Sequence, residues 1–215
     1  MDIDVSKAAL VRKRVIDWFG QNGRSFPWRT TKDPFQILVA EMLLRRTTAS
    51  AVSRVFSEFI TRFNTPLCLS RARESTIAKA LASLGLQTVR ARQFKKAFTL
   101  ISKEYDCKIP RSYDVLKSLP GVGRYIAAAV MNFAYDEAVP LVDGNVIHLL
   151  SRVFGTSFVG PSDTQSWDFV SQFGGSHESE LYWGIIDFVS MVCLRKNPRC
   201  PVCPLSDVCD WYNTK

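Results

Sequence analysis

The stretch from Val115 to Arg152, VLKSLPGVGRYIAAAVMNFAYDEAVPLVDGNVIHLLSR, restricts the possible folds more than any other part of the chain. Leu116 and Leu119 close a short amphipathic helix. Pro120-Gly121-Val122-Gly123 then makes a tight hairpin, and an apolar helix opens at Arg124 with Ile126, Val130 and Phe133 at helical spacing. Glycines admit positive φ and let the backbone approach a ligand closely, so the N–H groups opening the next helix can point at an anion. The same hairpin also serves as a plain joint between packed helices. Eighteen residues after Tyr125 comes Asp143, within Leu141-Val142-Asp143-Gly144-Asn145-Val146. It stands just ahead of an apolar run (Val146, Ile147, Leu149, Leu150, Val153) that predicts another helix. An Asp there is a common N-cap as well as a placed carboxylate.

The rest of the chain reads as one helix after another. Residues from about Ser6 to Gly20 form an amphipathic helix that Asn22-Gly23 ends, and Arg24 to Arg29 form a loop. Asp33-Pro34 opens a helix over Phe35 to Leu44 whose single charge is Glu41. Further helices are predicted over Ala51 to Phe63, Glu74 to Leu84, Val89 to Lys103, Thr164 to Phe173 and Glu178 to Val192. Arg90, Arg92, Lys95 and Lys96 read as a solvated basic face. There is no sustained apolar–polar alternation, internal repeat or low-complexity tract, so the fold class is all-α.

Composition narrows the function classes. With 215 residues, 47% of them apolar, the chain can bury a substantial core as one large domain or two small ones. Lys and Arg number 28 against 20 Asp and Glu, a net charge of +8 that favours a polyanionic partner over an acidic small molecule. The longest strongly apolar stretch, Ile126 to Ala134, is too short to span a bilayer, and the start MDIDVSKAAL is too polar and acidic for a signal or transit peptide. The expectation is an intracellular protein with no membrane partner.

Of six cysteines, Cys68 and Cys107 are isolated, whereas Cys193, Cys200, Cys203 and Cys209 follow the spacing C-x6-C-x2-C-x5-C. In a reducing compartment such a cluster points to a metal site rather than disulfides. Zinc usually takes two short cysteine pairs and only one is present, so spacing leans toward iron–sulfur while leaving zinc open.

LPGVGRY and LVDGNV together resemble the helix-hairpin-helix plus Gly/Pro…Asp motif of the base-excision DNA glycosylases related to endonuclease III and MutY. The cysteine spacing is similar to the 4Fe-4S loop of the same families, and the resemblance covers nearly all the chain. It implies a two-lobed helix-hairpin-helix DNA glycosylase fold with a C-terminal 4Fe-4S cluster loop. Residues 23–137 would form a six-helix lobe carrying the hairpin; residues 1–22 and 138–215 would form a helical lobe with the cluster, and the active site would lie in the cleft. It implies a monomer in the cytoplasm, at the nucleoid, acting on double-stranded DNA that contains a mismatched or damaged base.

A glycosylase takes a base out of the stack and breaks its C–N bond to the sugar through an oxocarbenium-like transition state. The resemblance casts Asp143 as the carboxylate that stabilises the positive charge. Glu41, alone among apolar neighbours, is a candidate acid for the departing base, its burial favouring the protonated form; its other reading is the polar face of an amphipathic helix. Bifunctional endonuclease III relatives carry a lysine after the Gly-Arg pair to form a Schiff base. Here that position is Tyr125, which implies a monofunctional enzyme, or plain packing. Arg45, Arg46 and Leu86 match the family's wedge positions, against readings as phosphate-facing arginines and a core leucine. Gly121, Val122 and Gly123 would meet the DNA backbone, as would Arg195, Lys196 and Arg199 in the first cysteine spacer. Trp28, Ala49 and Trp183 would line the base pocket.

Arg45-Arg46-Thr47-Thr48-Ala49 resembles the archaeal-type thymine glycosylases acting on T opposite G, whereas DGNV is closer to MutY. The chain ends six residues after Cys209, so the 8-oxoguanine-reading domain of MutY is expected to be absent. Trp183 departs from the Leu or Gln of the relatives. The expectation is a monofunctional glycosylase for T or U opposite G. The alternatives are a short MutY-like adenine glycosylase acting on A opposite G or 8-oxoguanine, and a non-catalytic DNA-binding iron–sulfur protein.

Overall fold

In a computed structural model, which describes residues 3–174 and 179–214, the regular structure is helical throughout, with no strand among the described residues. The helices are α1 (Val5–Asn22), α2 (Pro34–Leu44), α3 (Ala49–Arg62), α4 (Pro66–Arg71), α5 (Glu74–Ala80), α6 (Gln87–Glu104), α7 (Tyr113–Ser118), α8 (Arg124–Tyr135), α9 (Gly144–Phe154), α10 (Thr164–Gly174), α11 (Ser179–Met191) and α12 (Asp210–Asn213). The chain divides into two compact units, one formed by Ser25–Glu137 and the other by Met1–Arg24 with Ala138–Lys215.

Ser25–Glu137 is built around α2. Eight of that helix's eleven residues are buried, from Phe35 through Leu43 with Gln36 alone left out of the run, because the segment is apolar on every face. α3 and α8 pack against it. Phe35, Phe98, Phe94 and Phe59 form a chain of edge-on and stacked rings at centroid distances of 5.5–5.9 Å. Such ring pairs contribute roughly 0.5–1.5 kcal/mol each beyond area burial. Helix starts here follow their sequence signals: the Asp33 and Thr65 side chains accept from backbone N–H groups, each followed by proline, and Thr48 and Ser112 cap α3 and α7.

In the other unit α1 packs along α11. Gly184 permits the close approach, since a Cβ there would sit 2.9 Å from Val15 Cγ1. Trp18 meets Phe188 edge-on at 5.0 Å. Next to this seam Asp187, wholly buried, accepts from the backbone N–H, Nε and Nη2 of Arg24 at 2.8, 3.0 and 2.6 Å. A carboxylate this buried needs such a set of donors.

The structure departs from the sequence expectations at several places. α4 was not expected, although Thr65-Pro66 repeats the Asp33-Pro34 signal. The helix expected over Glu74–Leu84 ends at Ala80 and continues as a 3-10 turn over Ala82–Leu84 into Gly85, whose φ is 71°. α3, α6 and α9 each begin two residues earlier than periodicity placed them. The expected start at Glu178 lies outside the described residues. The basic face of α6 is only partly solvated: Arg92 and Lys96 are exposed, whereas Arg90 is 5% exposed and Lys95 bonds the Ser70 carbonyl. Among the described residues no helix is long and apolar enough to cross a membrane.

Candidate functional site

The hairpin is a tight turn in which Val122 N–H donates to the Leu119 carbonyl at 3.0 Å, with Pro120 and Gly121 at the corners. Gly121 has φ 84°, the value a type II turn requires at its third residue. A Cβ there would also lie 2.9 Å from Gln93 Cβ, so both conformation and space exclude a side chain. Gly123 is the N-cap of α8 and carries no side chain to cap it, and nothing stands within 4 Å of where its Cβ would be. The helix start is thereby open to an approaching anion. Arg45 is fastened to this turn, Nη1 donating to Gln93 Oε1 at 2.8 Å and to the Gly121 carbonyl at 3.1 Å.

Asp143 caps α9. Its Oδ1 accepts from the N–H groups of Asn145 and Val146 at 2.8 and 2.7 Å, and its Oδ2 from Asn145 Nδ2 at 2.9 Å. Burial pushes its pKa above the ordinary aspartate value, outweighing the opposite pull of these bonds and of Arg195. The carboxyl is therefore both rigidly held and poorly solvated.

The exposed Arg46 and Leu86 are among the residues with positive φ, at 51° and 53°. For bulky side chains this costs about 1–2 kcal/mol, so surrounding structure must hold it. Leu86 is 54% exposed and is no core leucine. Between the two loops lies the Arg90 guanidinium, its pKa lowered chiefly by burial and then by Arg45. It donates to the carbonyls of Gly85, Met42, Leu43 and Arg45 and to Thr47 Oγ1. Sequence reading set Arg90 aside as surface charge. Its position on the stripe formed by Phe94, Ala97, Phe98 and Ile101 was the available signal.

Glu41, on α2, is 4% exposed, and its helix packs against α8, whose second residue is the half-buried Tyr125. Trp28 belongs to the core of its unit, stacked on Phe26 at 4.9 Å and edge-on to Phe56 at 5.4 Å. Ala49 is the first residue of α3 and half-buried. Trp183 is buried on α11 with its ring 6.5 Å from that of Phe19. Gly121, Val122, Gly123, Arg45, Arg46, Leu86, Glu41 and Tyr125 thus belong to Ser25–Glu137, and Asp143, Trp183, Cys193, Cys200, Cys203 and Cys209 to the other unit.

Cys193, Cys200, Cys203 and Cys209 line one small cavity together with Arg152 and Trp211. All four are free thiols. Burial pushes Cys203 up to about 11 and raises Cys193 and Cys209, with the neighbouring cysteines adding to each rise. Arg152, which sequence reading missed, ties α9 to this loop. Its guanidinium lies 4.2 Å from the Trp211 ring centre and donates to Cys193 Sγ at 3.5 Å and to the Leu194 and Arg195 carbonyls at 3.0 and 3.3 Å. Arg195, Lys196 and Arg199 are exposed on the first spacer, and Arg195 Nη2 donates to the Gly144 carbonyl at 2.8 Å. Among the described residues no three His, Cys, Asp or Glu side chains converge closely enough to hold a single metal ion.

A helical chain with a glycine turn opening one helix and a half-buried, capping aspartate opening the next matches a known family model. The model, described as HhH-GPD superfamily base excision DNA repair protein, matches residues 39–166. A thymine-DNA glycosylase of Aeropyrum pernix is 36% identical over 98% of both chains, and a thymine/uracil-DNA glycosylase of Pyrobaculum aerophilum is 35% identical over 95% of this chain and 92% of its own. A solved thermostable thymine-DNA glycosylase superposes over all of both chains with a TM-score of 0.93 at 30% identity. The chain belongs to the HhH-GPD superfamily of base excision DNA repair proteins.

The hairpin yields a test. Gly121→Ala places a side chain at φ 84° against Gln93, the residue that anchors Arg45. It should cost about 1–2 kcal/mol of stability, read as a lowered denaturation midpoint, and should weaken binding to duplex DNA in an equilibrium titration. Unchanged values of both would show that the turn adapts and does not shape the surface.

Proposed function

We propose that this protein is a monomeric DNA glycosylase that extrudes a thymine or uracil mispaired with guanine and hydrolyses its N-glycosidic bond. The observation that carries the reading is Asp143, a half-buried carboxyl fixed by three donors at the start of α9 in a chain that belongs to a base-excision family. An anion held this firmly in poorly solvated surroundings suits a transition state that develops positive charge on the sugar, because no solvent shell has to rearrange as the charge appears. Glu41, 4% exposed, is assigned the proton transfer to the departing base. Tyr125 has no amine, so no imine with the sugar forms through it and the product is an abasic site in an intact strand. The open start of α8 and the exposed Arg195, Lys196 and Arg199 take phosphates, and Arg46 and Leu86 enter the duplex where the base leaves. The choice of thymine or uracil rests on the likeness to relatives named for those bases. A mispaired base is also cheaper to extrude than a paired one.

The four cysteines are assigned a 4Fe-4S cluster. They face a common cavity, Cys193 and Cys209 buried and Cys200 and Cys203 half-buried, are unbridged, and form the soft all-sulfur donor set such clusters take. Bound there, the cluster would supply cross-linking of the loop that carries Arg195, Lys196 and Arg199.

Single-turnover assays on a duplex panel should show T·G and U·G losing their base faster than A·G or A opposite 8-oxoguanine, with T·A spared. Strands should break only after hot alkali, and borohydride should trap no adduct. Adenine release with T·G intact would overturn the assignment of the base, and a trapped adduct the assignment of Tyr125. Asp143→Asn keeps a capping side chain, so it should leave DNA binding in place while slowing base release on the order of 10³-fold. Burial holds the Asp143 carboxyl above its ordinary range, so the required anion is lost at a higher pH than for free aspartate. The rate should therefore fall on acidification with a midpoint above about 4; a rate flat down to pH 4 would assign the chemistry to another group. Anaerobically purified protein should be brown and contain iron and sulfide, and stoichiometric zinc without iron would overturn the cluster assignment.

A further inference from the structure

The Arg90 side chain reaches both of the loops assigned to duplex insertion. A guanidinium carries five N–H groups in a planar fork. Here each has an acceptor: Nε bonds Gly85 O at 3.0 Å, Nη1 bonds Met42 O at 3.1 Å and Leu43 O at 3.0 Å, and Nη2 bonds Arg45 O at 2.5 Å and Thr47 Oγ1 at 2.9 Å. The acceptors bracket the left-handed Arg46 and Leu86. Arg45 and Thr47 stand on either side of Arg46, while Gly85 precedes Leu86, whose own carbonyl accepts from Arg90 N–H at 2.9 Å. Thr47 Oγ1 also donates to Leu84 O at 3.3 Å, so the loops are joined directly as well. The guanidinium is 5% exposed while Arg46 and Leu86 point outward, so the clamp lies beneath the surface that its loops present.

We propose that Arg90 is a positioning residue that sets both inserting loops, Arg45–Thr47 and Gly85–Leu86, through a single guanidinium, so that the two take up and lose their shapes together. This rests on the glycosylase reading for the word inserting, though not for the coupling itself. Lysine has three donors around one nitrogen and cannot reach five acceptors spread over a plane, so Arg90→Lys keeps the charge and loses the coupling.

Two measurements on the full chain test the proposal. In hydrogen exchange followed by mass spectrometry, Arg90→Lys should speed exchange at least tenfold in peptides covering both 44–48 and 84–88, leaving peptides from α9 unchanged. If that variant fails to fold, Thr47→Val, which removes one of the five bonds and the link to Leu84, should raise exchange in both segments about threefold. Loosening of one segment alone, of neither, or of all peptides alike in a folded variant would overturn the coupling. In single-turnover base release, Arg90→Lys should slow a T·G duplex at least tenfold but a single-stranded oligonucleotide with the same thymine less than threefold, because an unpaired base needs no wedge. Equal loss on the two substrates would overturn the positioning role. Wild type releasing no base from any duplex would remove the glycosylase reading, and the exchange data would still decide the coupling.

Discussion

A helix buried on nearly every side has to satisfy its last carbonyls without water. α2 is such a helix: it is the centre of its unit, and its C-terminal carbonyls at Met42 and Leu43 are reached by a side chain from α6. A guanidinium does this with one of its nitrogens and has three further N–H groups for the loops beyond, which gives a charged residue on the inward stripe of α6 its place. The end of α2 and the outward loops at Arg46 and Leu86 all bond to the same fork of N–H groups.

The other unit uses a different device for a similar problem. Asp143 is held by the first N–H groups of the helix it caps, so the carboxylate has its position from the fold's own backbone rather than from mobile side chains. Farther along that helix Arg152 stacks on Trp211 and bonds the chain around Cys193. Helix α9 therefore connects the carboxyl at its beginning to the cysteine loop near its end. Burial acts in the same direction at the two places, disfavouring the anion: it raises the Asp143 carboxyl and pushes the Cys203 thiol up to about 11.

The all-helical class was legible because long apolar-periodic segments such as Val146–Val153 have one solution. The turn at Pro120-Gly121 and the caps at Asp33 and Asp143 were legible because each depends only on neighbours a few residues away. What could not be read was whatever joins distant segments. Arg90 looks like any basic residue on a helix until the carbonyls of 42–45 are brought to it, and Arg152 until Trp211 is. Trp28 and Trp183 show the reverse difficulty: large aromatic residues are equally at home in a core, where the ring partners Phe26, Phe56 and Phe19 now place them.

The order of the units along the chain has a consequence for synthesis. Ser25–Glu137 is continuous and can close as soon as it has emerged, whereas its companion is assembled from both ends of the chain. Helix α1 precedes Ser25–Glu137 in the chain, yet the partner for Val15 and Trp18 is α11, which begins at Ser179. At roughly 5–20 residues per second the apolar face of α1 waits about 10–30 s for that partner. During that interval it is an exposed greasy helix beside a finished neighbour, the point in the protein's life when chaperones have the most to hold and aggregation has the best opening.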